Sequence, residues 1–449
     1  MNSQPDQKNH GSLSRRHSEL GAASQFTPGI LAFGAGSFRP QVHAHPRTLP
    51  FAIGSSERPE RFGSIDAVRG TAMIFVCLAH FTGIYLWRTG ARGLANYLGT
   101  VGMIASPTFV IVSGMMVGFL ATTNPGGFAG LRVKLLDRGV FLLTVGHLIL
   151  AITITRSFAN FSGALRASFI TDAIAVAIIV TPWLVTTMRT KHRILLAICV
   201  FCVNWFLVLQ WHPGMSFLIV CKRYLIGIPS GFSESDFLAF PVIPWLAVYL
   251  AATALGEMLG KVYAGGDAKR AHVILARMGG IALLVAGTVD GITDVLRRAH
   301  ISSNWNEMFF FAIYQKFPPG PIYLGFFGGA GIVLLALMLE VDRRGAFPRV
   351  MDELRQLGRA SLFTYIAQYV IYVSFLGRLQ LTYTPLWPVL FVFSLIVLSR
   401  WAAAWGRHNG NNILTVGLSP LVRRFSSRLD TDAVTVRGTR GLGSLPTRR

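Results

Sequence analysis

Three ionisable side chains lie close together in residues 64–80, which read SIDAVRGTAMIFVCLAH. At about 100° per residue of helix, Asp66, Arg69 and His80 fall within roughly 60° of one another around the axis. An imidazole can take a proton from an attacking amine or hydroxyl, or can itself be acylated. A guanidinium pairs with phosphate in a bidentate way, and a carboxylate three residues earlier can orient it. These residue types indicate transfer of a group from a cytosolic, phosphate-bearing donor.

The depth of His80 in its helix supports this interpretation. His80 follows Arg69 by eleven residues, which places it about 16 Å further along the axis at 1.5 Å per residue. If Arg69 lies at the cytoplasmic mouth, His80 is close to the middle of the bilayer, where an ionisable group is costly and usually functional. The alternative is a neutral histidine that a neighbouring helix satisfies. Because Asp66 and Arg69 share its stripe, we favour the functional interpretation.

The composition predicts the scaffold that must hold these residues. The chain has 449 residues, of which 52% are apolar and only 14% charged. A bilayer core of about 30 Å needs roughly 20 apolar residues of helix, and no alternating pattern typical of a β-barrel is visible. We therefore predict an all-α polytopic membrane protein with about ten transmembrane helices in one bundle. The predicted spans are 67–87, 97–121, 139–156, 169–188, 193–211, 238–260, 273–289, 319–341, 361–377 and 385–405.

The charge distribution predicts the orientation of these helices. The formal net charge is +22, but much of it lies in loops and tails beside apolar segments, which argues against nucleic-acid binding and for contact with a lipid bilayer. Alternate loops are dense in Lys and Arg, and the positive-inside rule places them, with both termini, in the cytoplasm. Residues 1–60 and 409–449 are expected to be basic, largely disordered segments around a domain at 61–408.

Cysteine usage predicts no metal site. The four cysteines all fall in or near apolar runs, and Cys199 and Cys202 form a CxxC without a second Cys/His pair at metal spacing. They are expected to be ordinary small helix residues. The first sixty residues lack a sustained apolar core after a basic start, so no cleavable signal peptide is predicted.

Residues 61–80, RFGSIDAVRGTAMIFVCLAH, resemble the first-helix signature of the transmembrane acyltransferases, in which an Arg, an R-G pair and a His recur in that order. The likeness is closest to the heparan-α-glucosaminide N-acetyltransferase catalytic-domain family and its bacterial members. Further resemblances follow in the family's order across about residues 58–405. They are SPTFVIVSGMMVGFL, LLDRGVFLLTVGHLIL, FPVIPWLAVYLAATALG, KFPPGPIYL and GRASLFTYIAQY.

The resemblance implies an integral membrane enzyme that moves an acyl group from cytosolic acyl-CoA to a sugar on the far side of the bilayer. The acyl group would be acetyl in the first instance, the acceptor atom an amine or hydroxyl, and the membrane the bacterial inner (cytoplasmic) one. Acyl-CoA is then a co-substrate, and no metal is implied. His80 and Asp66 are the candidate catalytic residues, and Arg69 is the candidate for CoA binding.

The chain departs from the family pattern at two places. In the lysosomal branch the position like His80 is an Asn, and the catalytic His comes later, in the loop after the first helix. Here that loop, residues 88–96, contains no His. The family's late Tyr-x-x-His becomes Tyr365-Ile366-Ala367-Gln368, and an amide cannot act as a base. The base must therefore be His80 or a residue elsewhere.

Other charged residues are candidates by their position. Four arginines near the cytoplasmic face are candidate ligands of the CoA phosphates, although the positive-inside bias alone also explains such residues: Arg61, Arg132, Arg138 and Arg359. Four residues near the outer loops are candidates for acceptor binding: Asp290, Asp294, Trp245 and Lys316. Asp290 and Asp294 are spaced to share a helical face and to hold a glucosamine ammonium. His147 is expected to be a satisfied core histidine, and Asp172 lies near the outer start of the fourth span.

Two other function classes fit the same sequence. A proton-coupled transporter or flippase would use His80 and His147 as relay groups, although no repeat between residues 60–230 and 240–405 supports it. A catalytically silent, acyl-CoA-binding relative is the second, because of Gln368. The sequence does not identify the acyl chain, the acceptor or the oligomeric state, and a homodimer is among the assemblies left open. It also does not decide between general-base and acyl-histidine chemistry at His80.

Overall fold

The computed structural model describes residues 63–154, 167–228, 240–265, 268–299, 311–379 and 382–408, together with 410, 413–414 and 416–417. The two predicted tail segments, 1–60 and 409–449, lie almost wholly outside these residues, and so does Arg61. In the described residues the fold is helical, without a named strand; isolated bridge residues occur at Lys316 and Pro319, which pair with each other, and at Ser168.

The helices follow the apolar runs of the sequence. In chain order they are α1 (Gly63–Phe81), α2 (Arg92–Gly102), α3 (Ala105–Thr123), α4 (Pro125–Phe141), α5 (His147–Ile154), α6 (Ile170–Thr187), α7 (Thr190–Gln210), α8 (Ser216–Leu225), α9 (Val242–Ala264), α10 (Ala268–Arg298), α11 (Pro321–Tyr323), α12 (Gly329–Arg344), α13 (Pro348–Arg359), α14 (Ser361–Tyr369) and α15 (Trp387–Arg407). Several of them continue into one another through wider turns.

Nine helical stretches among the described residues are long and apolar enough to cross a membrane, which confirms the predicted class of polytopic all-α membrane protein. They are Gly63–Leu86, Arg92–Thr123, Pro125–Thr153, Ile170–Thr187, Thr190–Gln210, Val242–Ala264, Arg270–Leu296, Pro321–Arg344 and Trp387–Arg407. The tenth predicted span, 361–377, corresponds to the shorter apolar helix Ser361–Phe375. At 1.5 Å per residue this helix is roughly 22 Å long, less than the roughly 30 Å of a bilayer core.

Four helices widen into π-helical turns, at Thr82–Leu86, Leu142–Gly146, Leu324–Gly328 and Val370–Phe375. A π-helical turn inserts an extra residue per turn and often accompanies a functional site. The first of these turns begins two residues after His80, and the last begins directly after Tyr369. The helices that carry His80 and Tyr369 therefore change from α-helical to π-helical geometry close to these two residues.

Glycines set the closest helix contacts of the bundle. Gly114 and Gly118, four residues apart on α3, predict close packing, since helices approach closely where small residues share a face. A Cβ added at Gly118 would collide with the carbonyl of Thr253 on α9, and one at Gly256 of α9 would collide with the carbonyl of Met115 on α3. The prediction is confirmed for α3 and α9, and α1 packs against α3 of this pair.

Candidate active site

The side chain of His80 meets three polar residues of the short helix α14. Its Nδ1 lies 2.8 Å from Gln368 Oε1, and its Nε2 lies 3.4 Å from the hydroxyl of Tyr369. The hydroxyl of Tyr369 is in turn 3.3 Å from that of Tyr365. Tyr365, Gln368 and Tyr369 are three and four residues apart, so they share one face of α14. That face is buried, and it turns all three side chains toward α1.

The hydrogen bonds of Gln368 determine which nitrogen of His80 carries a proton. The amide nitrogen of Gln368 donates to the carbonyl of Tyr365 at 3.1 Å, which leaves the amide oxygen to face His80. An amide oxygen can only accept, so His80 Nδ1–H is the donor, and Nε2 keeps its lone pair. The hydroxyl of Tyr369 can donate to this lone pair over the longer distance. In this tautomer the imidazole is equipped to accept a proton or to attack a carbonyl through Nε2.

His80 lines a cavity of about 240 Å³ inside the bundle. Most of the cavity wall is apolar, from α1, α3, α4, α6 and α14. Its cationic residues are Arg69, Arg138 and Lys316, and none of the described residues that line it is a carboxylate. An apolar cavity with few polar groups is the usual form of a small-molecule site. This one favours a ligand that carries negative charge.

Two neighbours hold Arg69, which lines the cavity from α1. Its guanidinium donates to the hydroxyl of Ser361 at 2.7 Å and lies 4.0 Å from the carboxylate of Asp66. Asp66 also accepts from Arg359 at 3.4 Å, so the carboxylate lies between two arginines. The Nε of Arg69 is buried and has no hydrogen-bond partner among the described residues. Arg69 is thus held in one orientation, and both it and Tyr249 line the cavity.

The glycine after Arg69 explains why an R-G pair suits this position. A Cβ at Gly70 would collide with the carbonyl of Leu354 on α13, and one at Gly358 of α13 would collide with the carbonyl of Asp66. The two helices therefore touch through their backbones. This contact brings Arg359 beside Asp66 and starts α14 next to Arg69.

Lys316 belongs to the connection that leads into α11, and it reaches the same cavity. Its ammonium lies 5.4 Å from the ring centroid of Phe240 and 5.2 Å from that of Phe317. Both distances are within the roughly 6 Å range of a cation–π contact. Burial lowers the pKa of Lys316 from its usual value to about 8. The side chain interacts electrostatically with His80, so a second cationic group faces the imidazole.

The remaining arginine candidates differ in position. Arg138 lines the cavity. The guanidinium of Arg132 lies over the ring of Trp183, 4.7 Å from its centroid, and Arg132 is not among the described residues that line the cavity. Arg359 is half exposed and reaches the site only through its contact with Asp66.

The two acidic candidates are not brought to the cavity. Asp290 accepts a hydrogen bond from the backbone of Ile313 at 3.3 Å, which anchors the connection between α10 and α11. Asp294 is 42% exposed and pairs with Arg298 at 2.6 Å, one turn along α10. Neither residue is among the described residues that line the cavity. The ammonium-binding role that their spacing predicted has no support from their position.

Trp245 is a core residue. It is 1% exposed and packs against Phe240 and Tyr323, with ring centroids 6.4 and 6.5 Å away. It is not among the described residues that line the cavity, although Phe240 is. Trp245 therefore packs against Phe240, an aromatic residue of the cavity wall, from the side away from the cavity.

His147 and Asp172 form a separate pair. His147 Nδ1 lies 3.0 Å from Asp172 Oδ2, and the same oxygen accepts the backbone N–H of Phe169 at 2.8 Å. Asp172 thus closes the N-terminal end of α6, a usual role for an acidic residue there. Across the described parts of the chain, no group of three or more His, Cys, Asp or Glu side chains is placed to hold a metal ion.

Several residues of the site have no role that the sequence predicted. Ser361, Tyr365 and Tyr369 lie in the motif GRASLFTYIAQY, and Tyr249 in FPVIPWLAVYLAATALG, but only Gln368 was singled out, as a departure. The spacing of three polar residues on one face of an apolar helix was the available signal. It could not show which helix they face.

Residues 61–286 match the family model described as heparan-alpha-glucosaminide N-acetyltransferase, catalytic. The match covers just over half of the 449 residues. It includes Arg69, His80 and Arg138, whereas Lys316, Ser361 and Gln368 lie beyond its end. Comparison with individual curated proteins gives no match.

Proposed function

This chain belongs to the heparan-α-glucosaminide N-acetyltransferase catalytic-domain family, a family of membrane acetyltransferases, and from that premise we propose that it moves an acyl group across a membrane. The donor is acyl-CoA on the cytoplasmic side, acetyl-CoA in the first instance. The acceptor is an amine or hydroxyl of a sugar or glycan on the opposite side. The membrane is the cytoplasmic membrane of a bacterium, with both termini of the chain inside the cell.

The observation that carries the proposal is the place and tautomer of His80. Its Nε2 is free of a proton because Nδ1–H is committed to Gln368 at 2.8 Å. The imidazole lines a cavity that also holds Arg69 and Lys316. A nucleophile or base with a fixed orientation, inside a cavity that an oriented arginine also lines, is the arrangement that acyl transfer from an anionic donor requires.

Arg69 is the residue we assign to the donor's phosphate groups. Ser361 and Asp66 hold its guanidinium in one orientation, and the side chain lines the cavity. Arg138 would add a second charge on the same cavity wall. A volume of about 240 Å³ is below the roughly 300–1,000 Å³ usual for sites that enclose a whole ligand. We therefore expect the acyl-thioester end to enter the cavity while the nucleotide stays at the cytoplasmic mouth.

In the general-base form of the reaction, His80 Nε2 takes the proton of the acceptor's amine or hydroxyl as that group adds to the thioester carbonyl. The C–S bond then breaks, and the imidazolium returns the proton to the departing sulfur. The hydroxyl of Tyr369, 3.4 Å from Nε2, can donate a hydrogen bond to Nε2 before the proton transfer and accept one from it afterwards. In the acyl-histidine form, Nε2 itself attacks the carbonyl and CoA leaves first. The same tautomer serves both forms.

The proposal is tested by acyl transfer in purified, full-length protein in nanodiscs, with labelled acetyl-CoA and glucosamine or glucose as acceptors. His80→Ala should lower the rate of product formation by about 10²–10⁴-fold, the usual contribution of a positioned base. His192, which is exposed near the start of α7, provides the matched control His192→Ala, which should leave the rate unchanged. Undiminished turnover in His80→Ala would remove His80 from the chemistry. CoA binding without product in the wild type would indicate a silent relative.

The two forms of the reaction differ in one intermediate. Rapid quench of the enzyme with labelled acetyl-CoA and no acceptor, by a denaturant at neutral pH because an acyl-histidine hydrolyses in acid, should trap a label on His80 only in the acyl-histidine form. The general-base form leaves the protein unlabelled and requires both substrates together. The His80→Ala variant gives the background for this measurement.

A further inference from the structure

The cavity holds a cation that the acyl-CoA phosphates do not explain. Arg69 and Arg138 lie on the helices that lead to the proposed donor side, whereas Lys316 lies in the connection between α10 and α11. In the predicted orientation this connection is extracytoplasmic. Lys316 therefore faces the reacting groups from the side opposite Arg69.

The position of Lys316 is fixed by the turn around it. The side-chain amide of the preceding residue, Gln315, donates to the carbonyls of Phe317 and Pro318 at 2.7 and 3.2 Å. Trp205 donates to the carbonyl of Pro319 at 3.2 Å. Because these hydrogen bonds hold the turn, the backbone directs the side chain of Lys316 into the cavity.

Two aromatic rings favour the ammonium form of Lys316, but no counter-charge among the described residues balances it. Phe240 and Phe317 offer their ring faces at 5.4 and 5.2 Å, which favours the ammonium form. In the described part of the chain no carboxylate lies within ion-pair distance of Lys316. A partly buried cation without a counter-charge is costly, and a bound anion would remove that cost.

We infer that Lys316 binds an anionic group, a carboxylate, sulfate or phosphate, that one of the two substrates carries close to its reacting atoms, an inference that rests on the proposed acyl transfer. The group has two sources. It is either an acid group of the sugar acceptor or the distal carboxylate of a dicarboxylic acyl chain. Lys316 would repel a glucosamine ammonium at the same place. None of the described residues that line the cavity is a carboxylate that could offset this repulsion.

Four substrate pairs separate the two sources. Acetyl-CoA and succinyl-CoA are each tested with methyl glucoside and with methyl glucuronoside, using the full-length protein in nanodiscs. The variants are Lys316→Met, which removes the charge, and Lys316→Arg, which keeps it. Lys191→Met, at an exposed lysine on α7, is the matched control, and the elution volume and Tm of each variant report folding.

The wild type should favour an anion-bearing pair by about tenfold or more in kcat/KM, which corresponds to one charge-assisted hydrogen bond. Lys316→Met should lose that preference, so that kcat/KM falls about tenfold more for the acidic pairs than for the neutral pair, and Lys316→Arg and Lys191→Met should retain it. A preference for methyl glucuronoside over methyl glucoside, with the same thioester, assigns the anion to the acceptor. A preference within the two thioesters assigns it to the acyl chain. Equal losses for neutral and acidic pairs in Lys316→Met would overturn the inference.

Calorimetric binding of the same four compounds separates this inference from the proposed function. Lys316-dependent tighter binding of the acidic compounds, without any product, would keep the anion site and reject acyl transfer. Turnover of all pairs without a charge preference would keep acyl transfer and reject the anion site.

Discussion

Gln368 Oε1 accepts a hydrogen bond from His80 Nδ1–H at 2.8 Å, across 288 positions of sequence. Gln368 is fully buried, and its amide nitrogen is already committed to the carbonyl of Tyr365. The amide therefore cannot turn over without losing a buried hydrogen bond, which would cost about 1–3 kcal/mol. At a position where the family's pattern has a histidine, this chain uses a neutral residue to orient another histidine.

The first prediction concerns this amide. Gln368→Leu removes the acceptor for Nδ1–H, so His80 should populate both tautomers, and kcat should fall by about 10–100-fold, as for other residues that orient a histidine. The KM for acetyl-CoA should stay unchanged, because Gln368 is not among the described residues that line the cavity. The ¹⁵N spectrum of ring-labelled histidine, with His80→Ala to identify the signal, reports the tautomer directly.

Gln368→Glu is the conservative control for that prediction. It keeps an acceptor oxygen at the same length of side chain, so Nδ1–H should remain and kcat should stay closer to the wild type than in Gln368→Leu. An unchanged tautomer in Gln368→Leu would show that Gln368 has only a packing role.

The second prediction concerns Arg69. Arg69→Ala should raise the KM for acetyl-CoA by about 10–100-fold, because one charge-assisted hydrogen bond contributes roughly 1.5–3 kcal/mol. Arg69→Lys should restore only part of the affinity, since an ammonium cannot bond phosphate and Ser361 through a planar fork. Steady-state kinetics with varied acetyl-CoA measures both effects.

Arg132 is the matched control for Arg69. It is a nearby arginine candidate whose guanidinium lies on Trp183 and not in the cavity wall. Arg132→Ala should leave the KM for acetyl-CoA within about twofold of the wild type, since its guanidinium already lies on the ring of Trp183. An equal rise of KM in both variants would point to a diffuse charge effect at the membrane surface and contradict a specific role for Arg69.

The third prediction concerns the contact between α1 and α13. Gly70→Ala places a Cβ against the carbonyl of Leu354, so the helices must separate, at a cost of about 1–3 kcal/mol. Because the same contact sets Arg69 beside Ser361, the variant should also lose acyl-CoA affinity. Thermal unfolding in detergent measures the first effect and calorimetric binding of acetyl-CoA the second.

Gly130 on α4 is the control for Gly70, since nothing lies within 4 Å of a Cβ added there. Gly130→Ala should leave Tm unchanged or raise it slightly, because alanine restricts the unfolded chain. A similar loss of Tm in both variants would mean that the close approach of α1 and α13 is not what makes Gly70 sensitive.

The fourth prediction follows from the lowered pKa of Lys316, about 8. Below that pH the ammonium is charged and binds an anion; as the pH rises through about 8 it becomes neutral. The preference for an acidic over a neutral substrate should therefore fall as the pH rises through about 8. The ratio of kcat/KM for the two substrates, measured from pH 6.5 to 10, gives this preference, and protonation of His80 cancels in the ratio.

Lys316→Arg controls for the other titratable groups around Lys316. These are His80 of α1 and Tyr365 and Tyr369 of α14, which line the same cavity, and Asp172 of α6, which is paired with His147. A guanidinium stays charged over the whole range, so the fall in preference should disappear in this variant. A fall that persists would assign the pH dependence to one of the neighbouring groups.

The sequence by itself determined which segments cross the membrane. Spanning requires only about 20 apolar residues in a row, a property that is local along the chain, and nine of the ten predicted spans agree with helices of spanning length among the described residues. It also placed Asp66, Arg69 and His80 on one stripe, because helical periodicity fixes the angle between residues of the same helix. The short helix Ser361–Phe375 was found by the same local rule, without any indication of its role.

Only the tertiary structure decided which residues meet. Asp294 and Lys316 were equal candidates from their positions in the sequence, yet Asp294 pairs with Arg298 outside the cavity and Lys316 lines it. Gln368 was known as a departure, but its bond to His80 depends on the rotation of α14 against α1. That rotation is set by backbone contacts at Gly70 and Gly358. Apolarity is nearly uniform around such helices, so hydropathy does not encode which face meets which neighbour; the packing of small residues does.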